Sequence, residues 1–387
     1  MTAQPKRVMV VFGTRPEAVK LAPIILALGE SPHLEPIVVV TAQHREMLDQ
    51  VTGLFGISYD ADLDIMRPRQ TLADITTRAL SGLDALVAEH QPDALMVQGD
   101  TTTTFVGALA AHYHQVPVVH VEAGLRTFNR YSPFPEEMNR RLTSQLTSLH
   151  LAPTPASCAN LVDEGIDRSS IVVTGNSVID ALLWTVDKRI AYDDPKLDVL
   201  DSDPRRVLLV TAHRRESWGE RMAGVGRALG RLTRDEPDLL VVLPVHRNPT
   251  VREALLPPLD GLPNVIVTEP IGYGGFARLI DRAHVVLTDS GGVQEEAPSL
   301  GKPVLVMREN TERPEAVTAG TARLVGTDED RIVSEVGTLL HDGAAYDAMA
   351  NAVNPYGDGH AAPRSVAAMA HLFGRGPAAH EFHGENL

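Results

Sequence analysis

The sequence predicts an α/β protein made of two doubly wound parallel sheets. Short β-rich apolar runs alternate with helix-length amphipathic segments almost throughout the chain, as expected for a series of βαβ units. The alternation breaks at residues 191–206, where five Asp and two Pro interrupt the apolar periodicity. At 387 residues the chain is also too long for one ordinary core, so we expect this break to link two domains.

The strands of the first predicted sheet all precede this break, and helical segments lie between them. The predicted strands are Val8 to Gly13, Ile37 to Thr41, Ala94 to Gln98, Val116 to Val121, His150 to Ala152 and Ile171 to Thr174. The helical segments include Glu17 to Leu28, Arg45 to Phe55, Leu72 to Glu89 and Thr102 to His114. This order predicts one Rossmann-like sheet with helices on both faces.

A second series of strands follows the break and predicts a second Rossmann-like sheet. These strands are Val207 to Thr211, Leu239 to Val245, Val265 to Thr268, Val285 to Thr288, Val304 to Val306 and Arg323 to Val325. We therefore expect domains over 1–190 and 191–360. Residues 361–387 are expected to form a helix that packs on the first domain, followed by a mobile tail. Two such sheets facing each other would leave a cleft at the carboxyl ends of their strands, where ligands bind in these folds.

The charge balance and the single cysteine disfavour several classes of protein. Lys and Arg number 35 against 50 Asp and Glu, which gives a formal net charge of −15. Binding to nucleic acid or to an anionic membrane needs a cationic surface, so neither partner is expected. Cys158 cannot form an intramolecular disulfide, and no apolar stretch approaches the roughly 20 residues that cross a bilayer. A cytoplasmic location is therefore expected.

Three carboxylic acids follow predicted strands of the first sheet. Asp100 and Glu122 come directly after neighbouring strands, and Glu136 follows a loop with two prolines. Paired carboxylates suit acid and base chemistry, because their mutual repulsion separates their proton affinities. The alternatives are a helix cap for Asp100 and an interaction with a helix dipole for Glu136.

Basic side chains follow the first strand of each predicted sheet. Arg15 and Lys20 lie at the start of a helix whose preceding turn lacks the GxGxxG of dinucleotide-binding folds. An anion held by side-chain charge is therefore favoured there, with a surface salt bridge as the alternative for Arg15. In the second half, His213 and His246 end their strands, and an arginine follows each of them.

A glycine pair at the start of a helix is the most specific local signal. Ser290, Gly291 and Gly292 can cradle a diphosphate with backbone N–H groups, and Glu296 can accept from ribose hydroxyls one turn later. Residues 272–277 formally match GxGxxG/A, but they lie in the middle of the second half. We expect them to present Phe276 to an aromatic base rather than to bind a dinucleotide.

Neither a metal site nor a serine hydrolase is predicted. His112 and His114 are two positions apart on a predicted helix, so they cannot face the same way. No nucleophile-elbow motif surrounds Ser132 or His213, which disfavours a Ser-His-Asp arrangement. We expect no metal and no cofactor.

Several motifs, taken in order along the chain, resemble the non-hydrolysing UDP-N-acetylglucosamine 2-epimerases. They include FGTRPEAVK, GDTTTT, VEAGLRT, SPFPEEMNR, TAHRRES, DSGGVQEEAPSLGKPV and NPYGDG. The resemblance runs from Val8 to about Gly359. It implies the GT-B fold, a homodimer, and interconversion of UDP-GlcNAc with UDP-ManNAc without a nicotinamide or a metal.

The same resemblance implies roles for individual residues. The implied catalytic residues are Asp100, Glu122, Glu136 and His213. The implied UDP-sugar contacts are Arg15, Lys20, Phe276, Ser290, Gly291, Gly292, Glu296 and Arg313. A second UDP-GlcNAc site, at which the substrate would act as an allosteric activator, is implied by Gln43, Glu46, Arg69, Arg214 and His246. Glu136 would be shared between the two sites, and Glu46 departs from the family because some members carry Gln there.

Elimination is the route to epimerisation that these residues favour. The C2 proton of the sugar is not next to a carbonyl, and an oxidation would need a nicotinamide site that the first-strand motif does not provide. Loss of the C2 proton with departure of UDP from C1 gives a 2-acetamidoglucal, and UDP then adds back with protonation from the other face. Two faces require at least two acid/base groups. The alternatives are a hydrolysing relative or sugar transferase, and a non-catalytic nucleotide-sugar sensor.

Overall fold

The computed structural model describes residues 4–41 and 45–384, and the chain divides into two compact units. Unit 1 comprises the described residues of 1–181 and 356–386, and unit 2 comprises 182–355. Both boundaries lie earlier in the chain than the 190 and 360 expected from the sequence. The first boundary falls inside a helix, Ser177–Asp187.

Unit 1 contains a seven-stranded parallel sheet. Its strands are β1 Lys6–Phe12, β2 Leu34–Val40, β3 Ala61–Asp62, β4 Ala94–Gln98, β5 Val118–Val121, β6 Leu149–Ala152 and β7 Ile171–Val173. Their order in the sheet is β3-β2-β1-β4-β5-β6-β7. Helices cover both faces, so the central strands are buried at nearly every position. The sequence predicts all of these strands except β3, a two-residue edge strand that is too short to produce an apolar run.

The helices of unit 1 alternate with these strands. They are α1 Arg15–Gly29, α2 Arg45–Phe55, α3 Leu72–His90, α4 Thr102–Tyr113, α5 Glu136–Leu146, α6 Pro155–Asp163 and α7 Ser177–Asp187, which continues into unit 2. α1 begins with a capping box between Thr14 and Glu17, and Pro16 lies in its first turn. At α4 the cap is Thr101, whose hydroxyl accepts from the backbone N–H of Thr104.

Unit 2 contains a six-stranded parallel sheet, and the sequence predicts every strand of it. The strands are β8 Arg206–Thr211, β9 Leu239–Pro244, β10 Val265–Thr268, β11 Val285–Thr288, β12 Val304–Val306 and β13 Ala322–Leu324, in the order β10-β9-β8-β11-β12-β13. The helices are α8 Glu220–Asp235, α9 Pro249–Leu255, α10 Tyr273–Arg282, α11 Gly291–Glu296, α12 Pro314–Thr318, α13 Glu329–His341 and α14 Gly343–Ala350. Leu229 of α8 and Leu339 of α13 belong to the core that packs on this sheet.

The acidic segment 191–206, predicted as the interdomain linker, packs within unit 2. Leu197 and Leu200 are buried. The guanidinium of Arg282 donates to three backbone carbonyls of the segment. The acidic residues therefore cover part of unit 2, and the chain passes between the units earlier, within α7.

The C-terminal helix α15, Ala361–Leu372, and the residues after it belong to unit 1. α15 contacts α1. Beyond α15 the side chain of Phe382 is buried, and its backbone N–H donates to the carbonyl of Val173 at 2.8 Å. Glu381 pairs with Arg168 at 2.6 Å. The sequence predicts a mobile tail here, whereas the structure gives residues up to 384 an apolar and an ionic anchor.

Candidate active site

The polar residues that follow the strands of unit 1 gather where the strand order reverses, between β1 and β4. Doubly wound sheets bind their ligands at this position. Thr14 and Arg15 follow β1, Gly99 and Asp100 follow β4, and Glu122 follows β5, the next strand along. Arg15, Asp100 and Glu122 thus lie at the same edge of one sheet.

A buried carboxylate ties the loops after β1 and β4 together. Glu17 is 2% exposed and accepts from the backbone N–H groups of Gly13 and Thr14 at 3.0 and 2.7 Å. Its other oxygen accepts from the hydroxyls of Thr101 and Thr104 at 2.7 and 3.3 Å. Burial raises the pKa of Glu17, and these hydrogen bonds lower it in part. We call Glu17 with these donors the unit 1 latch. No role is predicted for Glu17 above, although the Thr14-x-x-Glu17 capping pattern could have indicated one.

Glu122 is held by three side chains at the end of β5. Its carboxylate forms an ion pair with Lys20 and accepts from the amide of Gln98. The amide of Asn176 also donates to it, at 3.4 Å. Glu122 has a φ of +63°, in the left-handed region that a residue with a side chain adopts at a cost. Lys20, predicted as a contact for an anionic ligand, is thus the partner of a predicted catalytic acid.

Asp100 lies beside Glu122 and has its own cation. Two nitrogens of Arg140 lie 2.9 and 2.7 Å from its Oδ2, and the amide of Asn139 donates to its backbone carbonyl at 2.9 Å. A Cβ added to the preceding residue, Gly99, would lie 3.6 Å from Oε2 of Glu122. The Glu122 carboxylate therefore lies beside the glycine that precedes Asp100 in the chain. Thr101 caps α4, so the alternative of a capping role for Asp100 is wrong.

Glu136 is the first residue of α5 and is partly exposed. Its carboxylate has no hydrogen bond or ion pair within the part of the chain that the structure describes. The next residue, Glu137, is fully buried and accepts from the backbone N–H groups of Thr127 and Phe128 at 2.9 and 3.2 Å. It also pairs with Arg141 at 3.1 Å. Glu137, for which no role is predicted above, thus anchors the loop that leads to Glu136.

Arg15 is the first residue of α1, and its side chain is exposed. It forms no ion pair or hydrogen bond with the described residues, so the surface salt bridge weighed for it is not formed with them. Arg15 directly follows Thr14 of the unit 1 latch, at the start of a helix, where an anionic ligand would be favoured.

His120 is a further buried group at this edge of the sheet, and no role was predicted for it. Its side chain is completely buried on β5, and its Nε2–H donates to the carbonyl of Gly99 at 2.7 Å. Burial lowers the pKa of His120 to about 4, so the imidazole is neutral at physiological pH. Its Nδ1 has no hydrogen-bond partner among the described residues.

In unit 2 the order reverses between β8 and β11, and a buried carboxylate again joins the two following loops. Asp289, 1% exposed, accepts from the backbone N–H groups of His213 and Arg214 at 2.7 and 2.8 Å. Its Oδ1 lies 2.8 Å from Nδ1 of His213. Burial raises the pKa of Asp289, but the contacts with His213 and the backbone together lower it by more. The pKa is therefore below its ordinary value. We call Asp289 with these donors the unit 2 latch.

The unit 2 latch orients the predicted catalytic histidine. Because Nδ1 of His213 faces Asp289, the other ring nitrogen, Nε2, is the one left for a ligand. The His213 side chain is 44% exposed. Asp289 is the first residue of the DSGG motif. It meets His213 because it follows β11, which pairs with β8, the strand that His213 follows.

The predicted diphosphate turn lies at the start of α11. Ser290 is the N-cap of this helix, and its backbone N–H is taken by the hydroxyl of Thr288 at 2.9 Å. Gly291 and Gly292 follow as the first helical residues, and a Cβ on Gly292 would lie 3.7 Å from Oε2 of Glu296. The glycines thus leave open space at the helix start, beside the carboxylate predicted to bind a ribose.

Other predicted ligand contacts of unit 2 have protein partners of their own. The hydroxyl of Tyr273 donates to Glu296 at 3.1 Å, and burial with the charge of Glu296 raises the pKa of this tyrosine well above its ordinary value. Arg313 forms an ion pair with the buried Glu295. Phe276 lies on α10 and is partly buried.

The residues predicted for a second ligand site are divided between the units. Arg214 and His246 belong to unit 2, where the rings of His246 and His213 stack at 6.4 Å. Arg69 is an exposed residue of unit 1. Gln43 lies outside the described residues, and the side chain of Glu46 is likewise not described.

Residues 4–41 and 45–384 contain neither a cluster of metal ligands nor a membrane-spanning helix. No three His, Cys, Asp or Glu side chains in these ranges come together as metal ligands would. None of the helices there is long and apolar enough to cross a membrane.

Two Rossmann-like units with polar groups at their strand ends define an α/β protein of the GT-B class. The family model described as UDP-N-acetylglucosamine 2-epimerase matches residues 26–370. The UDP-N-acetylglucosamine 2-epimerase of Escherichia coli K12 is 52% identical over 368 residues, which cover 94% of this chain and 98% of the relative. The chain therefore belongs to the UDP-N-acetylglucosamine 2-epimerase family.

Solved structures agree with this assignment. The crystal structure of UDP-GlcNAc 2-epimerase from Neisseria meningitidis bound to UDP-GlcNAc has 47% sequence identity and a TM-score of 0.83, and the match covers 94% of this chain and 100% of that one. A structure from Listeria monocytogenes has 46% identity and a TM-score of 0.92, with 98% and 100% covered. The predicted fold class and family are thus confirmed.

Proposed function

We propose that the protein interconverts UDP-GlcNAc and UDP-ManNAc by inverting C2, through elimination and re-addition of UDP. The observation that carries this proposal is Glu122, a buried carboxylate at a strand end that is paired with Lys20. An ammonium partner favours the ionised form of a carboxyl group, and only that form can accept a proton. The relative from Neisseria meningitidis, whose crystal structure holds UDP-GlcNAc, supports the choice of ligand.

The acids of unit 1 are assigned to the two faces of the sugar. The Glu122 carboxylate lies beside Gly99, Asp100 is the next residue, and each acid has its own cation, so we assign the two carboxyl groups to one C2 atom. Glu136, whose carboxylate is unpartnered in the described chain, supplies a third candidate. Inversion needs one group to remove the proton and another to deliver one to the opposite face.

The bonds change in a balanced way. The C2–H bond breaks and its proton passes to a carboxylate, while its electron pair forms the C1–C2 double bond. The C1–O bond breaks at the same time, and UDP leaves with that electron pair. In the second step the UDP oxygen adds back to C1 as C2 takes a proton from the other face. No redox partner is needed.

We assign to unit 2 the role of keeping UDP bound between the two steps of the reaction. Nε2 of His213 faces away from Asp289 and is free to meet the departing phosphate. The start of α11 offers backbone N–H groups to the diphosphate, and Phe276 offers an aromatic face to uracil. How the two units face each other around one ligand stays a prediction.

Turnover in D2O tests the proposal directly. UDP-GlcNAc is incubated with the protein, and both recovered sugars are examined by NMR and mass spectrometry. Deuterium at C2 of both sugars is expected. Turnover without C2 deuterium would exclude elimination, and stoichiometric release of free UDP in the phosphorus spectrum would instead support a hydrolysing relative.

We further propose a homodimer and a second UDP-GlcNAc site that activates the enzyme. Arg214 supports the second site, because its buried Nε has no hydrogen-bond partner among the described residues. With UDP-ManNAc as the only substrate, the reaction should then begin slowly. Addition of a trace of UDP-GlcNAc should abolish this slow initial phase. Light scattering measures the assembly, and a monomer at assay concentration would contradict the dimer.

A further inference from the structure

We propose that His120 is a positioning residue, which sets the geometry of Asp100 and Glu122 by holding the carbonyl of Gly99 between them. This inference rests on the proposed function, because it assigns those two carboxylates to the reaction. The side chain of His120 is completely buried on β5. Its effect on catalysis is therefore indirect and acts through the backbone.

Two hydrogen bonds fasten residue 99 to β5. The Nε2–H of His120 donates to the carbonyl of Gly99 at 2.7 Å, and the N–H of Gly99 donates to the carbonyl of Val121 at 3.0 Å. Asp100 follows Gly99, and Glu122 follows Val121. The segments that carry the two acids are thus joined to each other one residue before each acid.

The backbone at this junction needs such support. Gly99 has a φ of +71° and Glu122 a φ of +63°. Glu122 has a Cβ, so this conformation is unfavourable unless its surroundings enforce it. The side-chain partners of Glu122 fix its carboxylate. His120 instead fixes the backbone at Gly99, and the Glu122 carboxylate lies beside that glycine. A displacement of the Gly99 backbone would therefore move Asp100 and would also change the surroundings of the Glu122 carboxylate.

The proton position on His120 follows from its partners. The carbonyl of Gly99 can only accept, so Nε2 carries the proton and Nδ1 is a bare acceptor. That Nδ1 is buried without a partner in the described residues, which costs stability. The orientation of the ring is therefore set by its one hydrogen bond in the described residues, the bond to Gly99.

Two amide substitutions separate a positioning role from a merely structural one. In His120→Gln the side-chain nitrogen reaches about as far as Nε2, so it can still donate to Gly99. In His120→Asn the nitrogen stops near the place of Nδ1 and cannot reach that carbonyl. Both variants have the same polarity and fit the same cavity, so each serves as the control for the other.

The expected result is a loss of kcat that only the shorter amide shows. His120→Asn should lower kcat by about 30-fold to 100-fold and change KM by less than about 3-fold, because a displacement of about 1 Å costs this much in a reacting geometry. His120→Gln should stay within about 3-fold of the wild type in kcat. In D2O, the ratio of C2-deuterated UDP-GlcNAc to newly formed UDP-ManNAc should also change in His120→Asn, since it reports how the two acids share the intermediate.

Other outcomes would overturn the inference. They are wild-type kcat in His120→Asn, or an equal loss in both variants with an unchanged deuterium ratio. If His120→Asn fails to fold, nitrogen-15 NMR of the wild-type ring and the activity of His120→Gln decide the matter. A proton on Nδ1 at neutral pH, or an inactive folded His120→Gln, would then contradict the inference. Wild-type protein that incorporates no C2 deuterium would refute the proposed function instead.

Discussion

The two units present opposite chemistry at the same position of the same fold. In unit 1 a cation holds an acid in place, as Lys20 holds Glu122. In unit 2 an acid holds a base in place, as Asp289 holds His213. A partner of opposite charge thus orients the presented group in both units, but unit 1 offers carboxylates and unit 2 offers nitrogens. The difference fits the proposal that unit 1 transfers protons and that unit 2 binds the anionic part of the ligand.

The frame beneath these groups is shared. Each strand-order reversal is bridged by a buried carboxylate that accepts from the neighbouring loop, Glu17 in unit 1 and Asp289 in unit 2. The comparison therefore separates two kinds of residue. Disturbing a latch should affect structure or binding, whereas disturbing a presented acid should affect the reaction alone.

The largest expected effect concerns the presented acid of unit 1. Glu122→Gln keeps the shape of the side chain but removes its ability to take a proton, so kcat should fall by about 10³-fold. The affinity for UDP should stay within about 3-fold, because unit 2 is assigned to UDP binding. Steady-state assays and calorimetry with UDP measure the two quantities.

The matched control for this variant is Glu164→Gln in the same unit. Glu164 is also ion-paired, with the buried Arg126 at 2.7 Å, but it lies on the segment after α6 rather than among the site residues. Its loss should reduce stability and leave kcat nearly unchanged. A large loss of UDP affinity in Glu122→Gln would contradict the division of labour between the units.

The second effect concerns the unit 1 latch. Glu17→Gln puts an amide N–H in place of one of the two carboxylate oxygens that accept from the loops, and we expect it to lower the stability of unit 1 by about 3 kcal/mol. Hydrogen exchange of the β1 and β4 amides in urea measures this loss for unit 1 separately. A double-mutant cycle with Thr101→Ala should show a coupling of about 1 kcal/mol or more. Additive effects would mean that the latch does not join the loops.

The third effect concerns the unit 2 latch. Asp289→Asn replaces one carboxylate oxygen with an amide NH2 group, which cannot accept from His213. The imidazole of His213 therefore loses the partner that orients it. Affinity for UDP should fall by about 10-fold to 50-fold, and kcat should fall with it. Calorimetry with UDP measures the affinity. Unchanged affinity would make the unit 2 latch purely structural and would weaken the comparison.

The smallest effect concerns the assembly of unit 1 from two stretches of chain, a feature that unit 2 lacks. Asp180 accepts from the backbone N–H groups of Ala361 and Ala362 at the start of α15. Burial raises the pKa of Asp180 to about 6, despite these hydrogen bonds. The folded state therefore favours the protonated carboxyl. This contribution to stability is fully present below about pH 4 and is lost as the pH rises through 6.

The variant Asp180→Asn should remove this loss. Between pH 4 and pH 6.5, the free energy of unfolding of Asp180→Asn relative to that of the wild type should increase by about 2 kcal/mol, because only the wild type has to ionise this buried carboxyl. Asp187→Asn, an exposed position on the same helix α7, is the control and should leave the pH profile unchanged. Parallel profiles for Asp180→Asn and the wild type would show that Asp180 titrates normally.

The sequence predicts most of the fold because local patterns encode it. Apolar runs identify every strand except β3, whose two residues at a sheet edge leave no periodicity. The acids and the glycine turn could be placed at strand ends for the same reason. Their partners could not, since Glu17 and Thr101 are 84 positions apart and meet only because β1 and β4 are neighbours. His120 likewise reaches Gly99 only through the pairing of β4 with β5.

The division of unit 1 has a consequence for how the chain is made. The ribosome delivers residues 4–181 first, then all of unit 2, and α15 with its following segment last. Unit 2 is one continuous stretch, so it can complete its core while unit 1 still lacks the helix that contacts α1. The part of the protein synthesised first should therefore be the last to reach its final state, and a release of the nascent chain before residue 361 should leave the α15-facing surface of α1 uncovered.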